Sequence, residues 1–262
     1  GADGTPAAPV TDATNVAAVP PPRVAVAGDS VAYSLAVPVA AWAAQTGDAT
    51  FVGSEAKKGC GFVRSTGRNF GPTNQATPAG CTTWPRAAQQ LIATQHPDVV
   101  VLITGMWDVL DARIGKDPTW RTFGDPVFEQ FLRQELVAVT DAYAAGGALV
   151  VWLTTSDIND TPLSVVGPAG GDTGRYVYSG RNNPRIAALN RAIRDVVAFR
   201  PDAARLVDLH TWVGRRFDDA TLRPDGMHFD PAVAGPVGTD FLGPRLLRQY
   251  RDWRSSHPAT PR

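Results

Sequence analysis

Val24-Ala25-Val26-Ala27-Gly28-Asp29-Ser30 is the stretch on which the fold turns. Its short apolar run is closed by Gly28, and such a run reads as a buried strand entering a tight turn. The residues that follow, Val31 to Thr46, are Ala-rich and largely apolar, with Gly47 as a stop. A buried helix is therefore expected, with Ser30 as its cap, and Pro38 is expected to kink or restart it. A serine between the carboxyl end of a parallel strand and the start of a helix sits where open α/β sheets keep their ligands. The helix dipole and the free backbone N–H groups there favour a developing oxyanion. The same place also suits a serine that does nothing but cap a helix, so Gly28-Asp29-Ser30 alone leaves both readings open.

A second stretch, Asp225-Gly226-Met227-His228-Phe229-Asp230, shifts the balance. An Asp three residues before a His can fix the imidazole tautomer while the other ring nitrogen faces a nucleophile. A serine hydroxyl needs such a base as it attacks. Taken alone, His228 reads as a structural histidine; in series with a Gly-Asp-Ser after the first strand, it does not. Together the two blocks resemble the SGNH (GDSL-type) hydrolase superfamily over roughly residues 23 to 254. The resemblance implies Ser30 as nucleophile, His228 as base, Asp225 as the group that orients it, and an oxyanion hole that includes the N–H groups of Ser30 and Gly59. By itself, Gly59 reads as a turn glycine.

Between these blocks, strands and helices alternate. Thr50 to Gly53 suggests a second strand, and Thr83-Trp84-Pro85 opens a helix to about Gln95, with Pro85 suited to the first turn. Asp98 to Thr104 is apolar without alternation, the mark of a strand buried on both faces. A helix from Pro126 to Ala145, a strand from Ala148 to Thr154, an amphipathic helix from Pro184 to Phe199 and a strand from Arg205 to Asp208 follow, before a final helical region to about Trp253. In the second of these helices Ile186, Leu189, Ile193, Val196 and Val197 are expected to face inward. Arg245, Arg248 and Arg251 recur on the last helix as a solvated face. Residues 62–82 and 109–125 read as irregular, and residues 155–183 as a long Gly-rich substrate lid. The expected fold is α/β, a doubly wound parallel five-stranded sheet of order 2-1-3-4-5 flanked by helices. Ser30, Gly59, Gly105 and the Asp225/His228 loop would then meet at its carboxyl edge.

Composition narrows the function. With 25 Lys and Arg against 25 Asp and Glu the net charge is zero, and the basic residues are scattered, which argues against a nucleic-acid partner. At 262 residues and 44% hydrophobic content, one α/β domain over 23–262 suffices, preceded by a Pro- and Ala-rich linker over 1–22. No transmembrane-length apolar run and no signal peptide stand in the sequence, which reads as a piece of a longer chain. Cys60 and Cys81 are expected to pair in an oxidising compartment, closing a loop worth roughly 3 kcal/mol; free buried thiols are the alternative. Asp225, His228 and Asp230 are too few ligands for a metal site without a nearby second histidine, and His96, His210 and His257 fall at a helix end, a strand end and the tail. No metal and no cofactor is expected.

One departure refines the resemblance. The superfamily's third block usually reads Gly-x-Asn-Asp, whereas this chain has Gly105-Met106-Trp107-Asp108, with Trp107 in place of an oxyanion-hole Asn. Asn159 or the Trp107 indole N–H is the expected substitute, the alternative being a site slow toward water; Trp107, Asp108 and Asn159 are the expected substrate-binding residues, and Trp107 and Trp120 an aromatic wall for a sugar or acyl chain, the alternative being tryptophans packed against the core edge. The Gly-x-Trp-acid block, the Cys pair and the Trp-Pro helix start together resemble the extracytoplasmic SGNH domains fused to type 3 acyltransferase membrane proteins of actinobacteria. That implies a cell-envelope O-acyltransferase moving a short acyl group, acetyl above all, from a membrane acyltransferase domain to a glycan or glycolipid. A secreted carbohydrate or short-chain esterase, and a non-catalytic glycan-binding domain, are the alternatives.

Overall fold

In a computed structural model, the protein is described over residues 20–69, 71, 73–160 and 179–257. Most of the expected 1–22 linker and the middle of the expected lid therefore lie outside the described residues. The first strand, β1 (Arg23–Gly28), is buried along nearly its whole length. It leads directly into α1 (Ser30–Thr46), which Gly47 ends. The cap is Asp29, one residue before the expected Ser30: its carboxylate accepts the Val31 N–H at 2.8 Å, leaving Ser30 as the first helical residue. Pro38 does not interrupt α1, and is buried with its carbonyl against Gly238. Tertiary packing thus offsets a cost of about 3 kcal/mol for an interior proline.

The remaining strands of the main sheet are β2 (Thr50–Ala56), β5 (Val99–Ile103), β7 (Leu149–Leu153) and β8 (Ala204–Val207), all parallel, in the order β2-β1-β5-β7-β8. Taken in sequence among themselves, these five strands have the expected order 2-1-3-4-5. Between them run α2 (Trp84–Gln95), α3 (Pro126–Ala144) and α4 (Asn183–Phe199), each with a proline in its first turn. Ile186, Leu189, Ile193 and Val196 are buried as their spacing requires, and Val197 is partly buried against the core. After β8 come a short helix, α5 (Leu209–Gly214), a π-helical turn over Val237–Leu242 and α6 (Gly243–Ser256). The turn and α6 pack along α1, while α2, α3 and α4 pack side by side, so helices cover both faces of the sheet. Arg248 and Arg251 are exposed on α6, and Arg245 folds over the Phe241 ring.

The stretches read as irregular contain a second sheet. β3 (Gly67–Asn69), β4 (Asn74–Ala76) and β6 (Asp111–Arg113) pair antiparallel in the order β4-β3-β6. Their sequences, Gly-Arg-Asn, Asn-Gln-Ala and Asp-Ala-Arg, carry neither an apolar run nor alternation, so pairing between distant segments, not local pattern, makes them strands. Cys60 and Cys81 form a disulfide joining the turn after β2 to the residues just before α2. Both sulfurs belong to buried residues, and Phe62 beside them meets Trp84 and Trp152 edge to face in the core.

Candidate active site

At the carboxyl edge of the main sheet, α1 and the loop before the π-helical turn bring Ser30 and His228 together across 198 residues of sequence. Ser30 Oγ lies 2.7 Å from His228 Nε2, and His228 Nδ1 lies 2.5 Å from Asp225 Oδ2. Asp225 Oδ1 also accepts the N–H groups of Met227 and His228, at 2.9 and 2.8 Å. With Asp225 ionised, Nδ1 carries the proton and donates to it, so Nε2 accepts from the Ser30 hydroxyl. Burial works to raise the Asp225 pKa, but the His228 hydrogen bond and charge and the two backbone N–H groups hold it below the ordinary carboxylate value. The imidazole is 24% exposed, so the series opens to solvent and to a substrate.

Local backbone geometry makes this arrangement possible. Gly226 has a φ of 74°, and a Cβ there would overlap the Asn159 carbonyl. Only glycine lets the Asp225–His228 turn lie against the segment leaving β7. One turn along α1, the Ser34 hydroxyl accepts the Phe229 N–H at 3.3 Å, a second tie between the same two elements.

Asp29, adjacent to Ser30, is wholly buried. Burial raises its carboxyl pKa to about 6, against the pull of the Val31 N–H and with a push from Asp108. Folded Asp29 therefore holds its proton more tightly than the unfolded chain does, and its ionisation costs stability as pH rises from about 4 to 6. Asp29→Asn keeps a cap acceptor and removes the charge. Thermal unfolding of the two proteins is expected to coincide near pH 4 and to diverge by up to about 2–3 kcal/mol in favour of the variant above pH 7. A difference that does not change with pH would contradict this.

The other expected site residues fall in different places. Gly59 occupies the turn after β2 with a φ of 78°, and its carbonyl accepts Arg68 Nη1 at 2.6 Å. Trp107 is half-buried beside it: a Cβ on Gly59 would stand 4.0 Å from the indole Cζ2. Arg68 stacks on the Trp107 ring at 4.7 Å. Asp108 does not line a substrate wall. It is buried and accepts the Phe62 and Val63 N–H groups at 2.8 and 2.9 Å and the Thr104 hydroxyl at 2.5 Å, which joins the third block to the segment after the disulfide. Burial raises its pKa in spite of those donors. Asn159 is also buried, and its amide donates to the Phe217 carbonyl at 3.0 Å and to Asp218 at 3.4 Å. The Asn159 amide nitrogen thus braces the loop before Asp225. Trp120 packs against Gly67 and under Arg113 on the small sheet.

Two arginines had no signal in the sequence. Arg68 reaches the site only through the pairing of β3, and its burial lowers its pKa while Asp108 opposes that shift. Arg223, 1% exposed, donates to the Asp157 carbonyl at 2.8 Å and ties the Asp225 loop to the residues after β7. Among the described residues no group of three or more His, Cys, Asp or Glu side chains is placed to hold a metal.

A family model described as "Protein of unknown function (DUF459)" matches residues 23–165. The structure resembles a GDSL-like lipase from Bacteroides thetaiotaomicron, with a TM-score of 0.50 at 12% identity over 87% of this chain and 88% of the other. It is also similar to an acetylxylan esterase from Geobacillus stearothermophilus (TM-score 0.45, 15% identity, 87% and 94% covered). A third similar structure is the periplasmic domain of a lipopolysaccharide acetyltransferase from Salmonella ser. Paratyphi A (TM-score 0.45, 10% identity, 73% and 67% covered). No curated protein matches the chain. The fold is that of the SGNH hydrolases, as the first and last sequence blocks imply.

Proposed function

The chain belongs to the DUF459 family of proteins of unknown function, and for it we propose acyl transfer through a covalent ester on Ser30, carried out as an extracytoplasmic O-acyltransferase domain. The observation that carries the chemistry is the hydrogen-bonded series from Ser30 Oγ through His228 to Asp225. In the first half-reaction Ser30 Oγ attacks the carbonyl carbon of an acyl ester and His228 Nε2 takes its proton. The negative charge on the carbonyl oxygen is met by the N–H groups of Ser30, at the positive end of α1, and of Gly59. Collapse expels the leaving alkoxide, which recovers the proton from His228, and leaves acyl-Ser30. In the second half an acceptor hydroxyl gives its proton to His228 and attacks the acyl carbon, and His228 passes that proton to Ser30 Oγ as the acyl–Oγ bond breaks.

The finer assignment has separate supports. A disulfide beside the site favours a compartment outside the cytoplasm, where thiols are not kept reduced. Transfer to a cell-envelope glycan or glycolipid, with the acyl group supplied by a membrane acyltransferase domain, rests on the resemblance of the Trp107 block, the Cys pair and the Trp84-Pro85 helix start. Among the described residues no helix is long and apolar enough to cross a membrane; that the donor domain stands in the same full-length chain rests on the resemblance alone.

The test is turnover of a p-nitrophenyl acyl-ester series by the purified protein, with and without sugar acceptors, analysed for acylated sugar. Nitrophenol release that an acceptor accelerates, with acyl-sugar formed, is the expected result. Release to water alone, unchanged by acceptors, would replace the transferase with an esterase.

A further inference from the structure

Gly59 has no side chain with which to fix itself, yet in the acyl-transfer reading its N–H must point at one atom of the transition state. Four contacts hold its turn from outside. The disulfide anchors Cys60 immediately after it. Lys57 Nζ donates to the Gly80 carbonyl at 2.7 Å, and the Lys58 ammonium sits 4.1 Å over the Tyr33 ring on α1. The fourth contact reaches Gly59 itself: Arg68, 5% exposed, donates to its carbonyl from one guanidinium nitrogen at 2.6 Å, with the guanidinium carbon 4.7 Å over the Trp107 ring.

From this geometry we infer that Arg68 is the positioning residue of the oxyanion turn, clamping Gly59 to Trp107. The inference rests on the acyl-transfer reading and deepens it. The Trp107 indole offers a broad face, and a planar cation sits over that face while one of its nitrogens reaches the Gly59 carbonyl. A lysine in place of Arg68 keeps the charge but cannot hold a planar cation over the ring and donate to the Gly59 carbonyl at the same time. The small antiparallel sheet has a function in this arrangement, since pairing of β3 with β4 and β6 sets where Arg68 points. Arg68 is buried and acts through Gly59.

The test compares wild type, Arg68→Lys and Arg68→Met, with Ser30→Ala as the reference, on p-nitrophenyl acetate. Active sites are titrated with a fluorophosphonate, and thermal unfolding is followed for each protein. The expected result is a kcat lower by roughly 10–100-fold in Arg68→Met and less in Arg68→Lys, with KM changed no more than about threefold. Across the three proteins log(kcat/KM) should fall in step with the affinity for a boronic acid that forms a tetrahedral adduct on Ser30. A purely structural Arg68 would instead lower the titrated active fraction and leave boronate affinity per active site unchanged, which overturns the inference. Full kcat in either folded variant overturns it as well. If Arg68→Met does not fold, the kcat and boronate affinity of Arg68→Lys decide by the same criteria. Wild type no faster than Ser30→Ala would defeat the acyl-transfer reading itself, a result distinct from either.

Discussion

Ser30→Ala is expected to lower ester turnover by on the order of 10⁴-fold or more, while thermal stability changes little. The size follows from what Ser30 Oγ does: it forms the covalent bond, and the hydroxyl one turn along α1 cannot take its place, because Ser34 Oγ is already donating to the Val31 carbonyl at 2.8 Å and accepting from Phe229. The small effect on stability follows from the cap. Asp29, not Ser30, satisfies the first free N–H of α1, so the helix start survives the substitution. Parallel assays of His228→Ala should show a loss of similar size, and the double variant little more than either single one, because the hydroxyl and its base act as a unit. Independent, multiplying losses would mean that His228 does not serve Ser30.

Gly226→Ala is expected to have the largest effect on stability of any single methyl group added at the site. The added carbon would overlap the Asn159 carbonyl, and the residue sits at a positive φ that alanine disfavours by about 1–2 kcal/mol even without the overlap. Relief requires the Asp225–His228 turn to lift from the segment after β7, breaking the Asn159 N–H bond to the Gly226 carbonyl at 3.1 Å. A loss above about 4 kcal/mol, or failure to accumulate folded protein, is the expected outcome in denaturant unfolding. Any folded fraction should be defective in turnover, since Asp225 and His228 flank the displaced residue. A stable, active Gly226→Ala protein would show that the turn tolerates movement that its packing forbids.

What the sequence made legible was the short-range pattern. A strand closed by glycine before a helix, four further strands in alternation with helices and an Asp three residues before a His are each written within a short local stretch. The parallel sheet and the meeting of Ser30 with His228 follow from them. The N-cap was misplaced by one residue because Asp29 and Ser30 are both good capping types, and only the backbone distinguishes which is helical. The small sheet was invisible because three-residue polar strands have no periodicity to read. Arg68 was invisible for the same reason, since its role depends on β3 being paired. Asp108 and Asn159 carry side chains suited to a substrate wall, and nothing in their sequence context says that they point inward to satisfy backbone and loop donors and acceptors. Burial decides between those uses, and burial is a property of the assembled fold.

The central claim is a covalent acyl-Ser30, and rapid quenching of the protein after mixing with p-nitrophenyl acetate, followed by peptide mass analysis, tests it most directly. The expected result is one added acetyl group, on the peptide that contains Ser30, appearing with the first equivalent of nitrophenol and ahead of acetate release, and absent from Ser30→Ala and His228→Ala. Folded wild-type protein that turns over the ester without ever carrying acetyl on Ser30, or that carries it on another residue, would contradict the claim.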